Sequence, residues 1–136
     1  MTDRPYIVLV VDDEDTMQDL IRRNLSLLDL PVKVHMALTG EEGVDMYKDL
    51  MDRGLTPDLV IMDLNLTQWG EGEIDGVEAT RRILNTDPEA RIYGYTAWFA
   101  TRWAKELEEA GAEEVIERTT LPSDFRKIVA DILTKA

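Results

Sequence analysis

The residues best suited to chemistry in this sequence are aspartates that directly follow two apolar segments. Asp12 and Asp13 follow the apolar run 7–11, and Asp63 ends the segment 58–63. Carboxylates held within a few ångströms of one another repel by roughly several kcal/mol at an intermediate effective dielectric. A hard divalent cation removes that cost, and oxygen ligands with water are typical of magnesium sites. If the two segments form neighbouring strands, their ends predict a Mg²⁺ site.

Helix capping is the simplest alternative explanation for acidic residues in this part of the chain. Acids in the first turn of a helix are favoured by the helix dipole, which accounts for Glu14 and Asp15. Capping explains Asp12 less well, and it does not explain Asp63, which belongs to a distant segment. Thr96 also ends an apolar segment. Because polar residues end several of the predicted strands, a shared functional site explains them better than separate helix caps do.

Five apolar segments, each followed by an amphipathic stretch, predict the architecture. The first segment is near-continuous and rich in β-branched residues, as expected for a strand buried on both faces. The predicted strands are Tyr6–Val11, Val32–Ala37, 58–63, 91–97 and 113–118. Parallel strands need helical crossovers of the right-handed kind, so the five βα units predict a doubly wound α/β sheet with five helices. Ligands of such sheets bind at the carboxyl ends of the strands.

The helix boundaries follow from apolar spacing and from residues that start or stop helices. Apolar residues at helical spacing run from Met17 to Leu28 in the first helix, which is expected to end before Pro31. Glycines 54 and 111 are expected to close the second and fourth helices, and Pro122 to open the fifth. The glycine-rich segment 64–75 is the one long irregular loop, and such loops in compact domains are often functional.

Composition limits the classes of function. The 136 residues suit a single domain covering 1–136, and the net charge of −13, from 28 acidic against 15 basic residues, argues against nucleic acid or an anionic membrane as partner. The charge permits cations and basic proteins. The absence of cysteine excludes disulfides and thiolate sites. No apolar run is long enough for a membrane helix and no signal segment is recognisable, which predicts a cytoplasmic protein.

Several segments together resemble the receiver domain of two-component response regulators. They are "LVVDDE", "PDLVIMDLNL", "DGVEATRRI", "YTA" and "GAEEVIER", and the resemblance extends over about residues 5–134. It implies a flavodoxin-like fold with strand order 2-1-3-4-5. It also implies a phosphoprotein of a phosphorelay, which catalyses its own Mg²⁺-dependent phosphorylation and is otherwise not an enzyme.

The resemblance assigns roles position by position. Asp63 matches the phosphoacceptor, Asp12 and Asp13 match the acidic pair that holds magnesium, and Asn65 matches the residue whose main-chain carbonyl binds the metal. Thr96 matches the hydroxyl that bonds the phosphoryl group, whereas on its own it would suit an ordinary turn or cap. The implied donor is a phosphohistidine on a sensor histidine kinase or phosphotransfer protein. The implied output is docking to a downstream protein through the fourth helix, fifth strand and fifth helix.

Three departures from the family pattern keep a second interpretation open. Arg118 stands where the family has lysine, and Val115 stands where it has an aromatic residue. The loop 64–75 is longer than usual, lacks the family's proline at Thr67 and carries Trp69. We expect a stand-alone receiver, with a degenerate receiver that binds partners without phosphorylation as the alternative. A magnesium-dependent phosphohydrolase is disfavoured because Asn65 occupies the place of a general acid.

Overall fold

The structure is a computed structural model that describes residues 5–63, 74–96, 102–118 and 120–134, with the side chains of Arg102 and Trp103 excluded. Five parallel strands form one sheet in these residues, in the order β2-β1-β3-β4-β5. The elements are β1 Tyr6–Val11, α1 Asp15–Leu25, β2 Val32–Ala37, α2 Gly40–Asp52, β3 Leu59–Met62, α3 Gly76–Thr86, β4 Ile92–Thr96, α4 Arg102–Glu109, β5 Glu114–Glu117 and α5 Pro122–Thr134. The predicted fold class and strand order are confirmed.

The helices lie on both faces of the sheet, and the alternation of strand side chains explains how. Val8 and Val10 point into a core shared with α1 and α5, which contribute Ile21 and Phe125. Leu9 and Val11 point into the opposite core. There they pack with residues of α2, α3 and α4, among them Tyr47, Ile83 and Leu107. Because successive residues of a strand face opposite ways, a strand covered on both sides must be apolar throughout.

The first helix ends earlier than the sequence predicts. It stops at Leu25 instead of continuing to Leu28, and Ser26 is its C-cap. Two backbone bonds of the tighter i to i−3 type follow, from Leu27 to Asn24 and from Leu28 to Leu25, both 3.2 Å. The Ser26 hydroxyl also donates to the carbonyl of Arg23 at 2.6 Å. These bonds satisfy last-turn carbonyls that a longer helix would have used, so the chain turns before the apolar spacing ends.

The predicted helix start and stop signals are otherwise found at helix ends. Gly54 and Gly111 follow α2 and α4 with φ of 75° and 123°, values that glycine adopts without strain. Pro122 is the first residue of α5. None of the helices within the described ranges combines the length and apolar character needed to cross a membrane.

Candidate functional site

Strand register brings the predicted acidic residues to one edge of the sheet. Val11 of β1 pairs with Met62 of β3, so Asp12 and Asp63 follow their strands side by side. The backbone N–H of Asp63 donates to the Val11 carbonyl at 2.9 Å, which continues the ladder to the site itself. Carboxylate oxygens of Asp12, Asp13 and Asp63 all lie within 4.8 Å of one another, and all three residues are buried.

The donor chemistry of this cluster fits a magnesium ion. It consists of three hard carboxylate oxygens, with neither histidine nor cysteine in the group. Such ligands suit magnesium, manganese or calcium rather than zinc or copper. Burial increases the repulsion among the three carboxylates, because charges held away from water interact more strongly. A bound cation would offset that repulsion. Asn65, the predicted carbonyl ligand, lies outside the described residues.

A positive group, the Arg118 guanidinium, already lies among these acids. Its Nη2 donates to Asp12 Oδ2 at 2.7 Å and to the Tyr95 carbonyl at 2.8 Å. The same nitrogen is 3.6 Å from Asp63 Oδ1. The backbone N–H of Arg118 donates to the Thr96 carbonyl at 3.0 Å, which fixes the residue at the end of β5. Arg118 therefore forms its shortest ion pair with a predicted metal ligand and not with the predicted phosphoacceptor.

The Tyr95 ring packs against the Arg118 guanidinium. The guanidinium carbon lies 5.0 Å from the centroid of the Tyr95 ring, within the range of a cation–π contact. That ring stacks on Phe125 of α5 with centroids 4.5 Å apart. The fifth helix thus orders the arginine through an aromatic pair. The sequence analysis gave Tyr95 no role, although its position beside Thr96 could have suggested one.

Thr96 and Val115 occupy the positions that the sequence assigns to them. Thr96 is the last residue of β4, pairs with Glu117 and is fully buried at the edge that carries the acids. Val115 packs beside Gly94 in the core shared with α2, α3 and α4, where a Cβ added to the glycine would approach the valine methyl groups at 3.2 and 3.3 Å. Because the Leu107 and Val115 side chains already fill the space beside Gly94, an aromatic ring at position 115 would need different packing.

Gln18 is a buried positioning residue that the sequence analysis missed. Its Nε2 donates to the carbonyl of Asp12 at 2.8 Å and to the carbonyl of Ala37 at 2.7 Å. The amide therefore ties the end of β1, where the acidic pair begins, to the end of β2. Gln18 could have been recognised in the sequence as a polar residue on the buried face of α1, three positions before Ile21.

We predict that Gln18→Met destabilises the protein by about 1–3 kcal/mol, because two buried carbonyl hydrogen bonds lose their donor while the side-chain volume is kept. The variant should also bind Mg²⁺ more weakly, since Asp12 is no longer fixed by its backbone. Urea unfolding and calorimetric titration measure the two effects. An unchanged metal affinity in a destabilised variant would limit Gln18 to a structural role.

Both oxygens of the Asp12 carboxylate accept hydrogen bonds from the protein. Oδ1 accepts from the backbone N–H of Glu14 at 2.9 Å, and Oδ2 accepts from Arg118. Glu14 is the N-cap of α1 and its side chain makes no capping hydrogen bond, so only the helix dipole remains as an explanation for its carboxylate. Asp15 does lie in the first turn. Burial raises the pKa of Asp12 above the ordinary 3.8, while Arg118 and the Glu14 N–H act in the opposite direction.

This raised pKa gives metal-free stability a defined pH dependence. A carboxyl whose folded pKa exceeds its unfolded value binds protons more tightly in the folded state. Its contribution is fully present below pH 3.8 and is lost as pH rises through the folded pKa. In EDTA, wild type should therefore lose stability relative to Asp12→Asn as pH rises from 3.8 through that pKa. Urea unfolding of both proteins across this range measures it, and a constant difference would contradict the prediction.

The fold and the site together define a doubly wound α/β protein with an acidic pocket at the carboxyl edge of its sheet. The family model of the response regulator receiver domain matches residues 8–130. The chain belongs to this family, as the sequence motifs indicated.

Individual relatives agree with this assignment. The chain is 31% identical over 128 residues to the chemotaxis protein CheY of Halobacterium salinarum, covering 93% of this chain and 96% of that protein. It is 30% identical over 131 residues to a protein-glutamate methylesterase/protein-glutamine glutaminase of Syntrophus aciditrophicus, covering 95% of this chain. It spans only 35% of the methylesterase, and 44% of the matched GacA response regulators of Pseudomonas viridiflava and Pseudomonas syringae.

The fold also matches solved structures. CheY in the CheX-CheY-BeF3-Mg complex of Borrelia burgdorferi superposes with a TM-score of 0.80 at 22% identity, covering 96% of this chain and 91% of that chain.

Proposed function

We propose that this chain is a receiver that accepts a phosphoryl group on Asp63 and signals by docking to another protein. The observation that carries the proposal is the meeting of Asp63 with two further buried carboxylates within 4.8 Å. Membership of the receiver family supports the same role. The donor is a phosphohistidine of a sensor histidine kinase or phosphotransfer protein, and the reaction takes place in the cytoplasm.

In this reaction a carboxylate oxygen of Asp63 attacks phosphorus, the phosphorus–nitrogen bond of the donor breaks, and the imidazole leaves. A bound Mg²⁺, held by Asp12, Asp13, Asp63 and the carbonyl of Asn65, would neutralise charge on the transferred oxygens. Arg118, 3.6 Å from Asp63, is close enough to bond a phosphoryl oxygen after a small movement. The Thr96 hydroxyl supplies a further hydrogen bond at the same edge.

The output is a change in the surface formed by α4, β5 and α5. Thr96 and Arg118 lie at the ends of β4 and β5, so a phosphoryl group that bonds both pulls on two adjacent strands. Arg118 also contacts Tyr95, whose ring stacks on α5. A two-state shift of this surface then changes the affinity for the downstream protein.

The test is phosphorylation by a small donor. With Mg²⁺ and acetyl phosphate, the intact mass should rise by one phosphoryl group, and EDTA should prevent the rise. Absence of any rise, together with no response to beryllofluoride, would contradict the proposal. That result would favour the degenerate receiver, for which the direct pairing of Arg118 with Asp12 is the specific observation. Continuous release of phosphate from small phosphoesters would instead indicate a phosphohydrolase.

A further inference from the structure

The Arg118 guanidinium holds one of the oxygens that a metal ion would need. Its Nη2 is 2.7 Å from Asp12 Oδ2 but 3.6 Å from the nearest Asp63 oxygen. The other Asp12 oxygen accepts the Glu14 N–H. A divalent ion bound by the three carboxylates would therefore share Asp12 with a positive group already in contact with it.

The arginine is held firmly enough to compete. Its side chain is only 14% exposed, and the Tyr95 carbonyl and ring hold the guanidinium in place. Two like charges bound to one buried carboxylate repel each other strongly where water is scarce. Arg118 Nε is buried without a hydrogen-bond partner among the described residues. This N–H is therefore available to form a new hydrogen bond if the guanidinium turns away from Asp12.

We infer that Arg118 is an internal cation that competes with the divalent ion for Asp12 and thereby sets the metal affinity of the pocket. In the metal-free protein it neutralises part of the buried negative charge. Metal binding requires the Arg118–Asp12 pair to break or lengthen, so the two are alternatives. This inference rests on the proposed metal site, but it concerns a residue that is not itself a metal ligand.

The test is a calorimetric Mg²⁺ titration of wild type, Arg118→Met and Arg118→Gln. Methionine removes the charge, and glutamine also keeps a donor for the Tyr95 carbonyl in case the methionine variant folds poorly. Both should bind Mg²⁺ about tenfold more tightly than wild type, within the range of coupling between directly interacting groups. Arg53→Met is the matched control, because Arg53 pairs with Asp49 at the far end of α2 and its loss should change affinity less than twofold.

A second measurement needs no metal. In EDTA, Arg118→Gln should lower the unfolding midpoint more in the wild-type background than in the Asp12→Asn background. The reason is that the ion pair between Arg118 and Asp12 exists only in the wild-type background. Equal effects in the two backgrounds would overturn the inference, as would an arginine variant that binds Mg²⁺ no more tightly than wild type. If wild type and variants alike fail to bind Mg²⁺, the proposed metal site fails as well. If wild type binds and the variants bind equally, only the competition is refuted.

Discussion

Replacing Asp63 with asparagine should reduce phosphoryl incorporation from acetyl phosphate to background. The asparagine side chain keeps the size of aspartate but is neutral and lacks a nucleophilic carboxylate oxygen. Asp63 is buried beside Asp12 and Asp13 at the end of its own strand, so neither of those carboxylates can take its exact place. Intact-mass spectrometry of the protein after incubation with Mg²⁺ and acetyl phosphate measures the effect.

The matched control for this prediction is Asp45→Asn. Asp45 is an exposed residue of α2, and its replacement makes the same change in charge away from the strand ends. The control should gain the phosphoryl mass at the wild-type rate. Equal incorporation in Asp63→Asn and wild type would move the phosphoacceptor to another residue, which peptide mapping would then identify.

Magnesium should stabilise wild type strongly and Asp13→Asn hardly at all. A ligand that binds only the folded protein adds about 2.7 kcal/mol at one hundred times its dissociation constant. For a domain of this size that corresponds to roughly 10 °C in the unfolding midpoint. Asp13 contributes one of three buried carboxylate oxygens, so its loss removes both a ligand and a share of the attraction. Thermal unfolding monitored by circular dichroism measures the shift.

Ionic strength is the main confounding factor in that experiment, because salt screens repulsion among the many acidic residues. Each magnesium concentration is therefore compared with sodium chloride at equal ionic strength. In EDTA, Asp13→Asn should be at least as stable as wild type, since one buried negative charge is gone. A magnesium shift of equal size in both proteins would contradict the proposed ligand role of Asp13.

Much of the fold could be predicted from local pattern alone. Strands β1 and β2 have the predicted bounds. The first is an uninterrupted apolar run and the second begins directly after a proline, so the sequence marks where each strand lies. The strands β3 and β5 are each one residue shorter at both ends than predicted, and β4 begins one residue later than predicted, at Ile92. The early end of α1 was not predictable from apolar spacing, since Leu28 packs against the core from outside the helix.

The candidate site was predictable as a set of strand ends but not as a set of contacts. Parallel strands must end at a common edge, so the meeting of Asp12 and Asp63 follows from strand order. The preference of Arg118 for Asp12 over Asp63 depends on side-chain direction, which the Tyr95 carbonyl and ring determine. The two bonds of Gln18 likewise depend on how α1 approaches the sheet. Spacing in a sequence carries no information on such directions.

The predictions for Asn65, Thr67, Trp69 and the rest of the stretch 64–73 stay predictions, because that stretch lies outside the described residues. The same holds for the residues that directly follow Thr96.

A crystal structure grown in abundant Mg²⁺ with beryllofluoride tests the central claim most directly. We expect an ion about 2.0–2.1 Å from oxygens of at least two of the three carboxylates, with the beryllofluoride on Asp63. We also expect Arg118 to have moved away from Asp12. A structure in which Asp12, Asp13 and Asp63 point apart, with no ion between them, would contradict the claim.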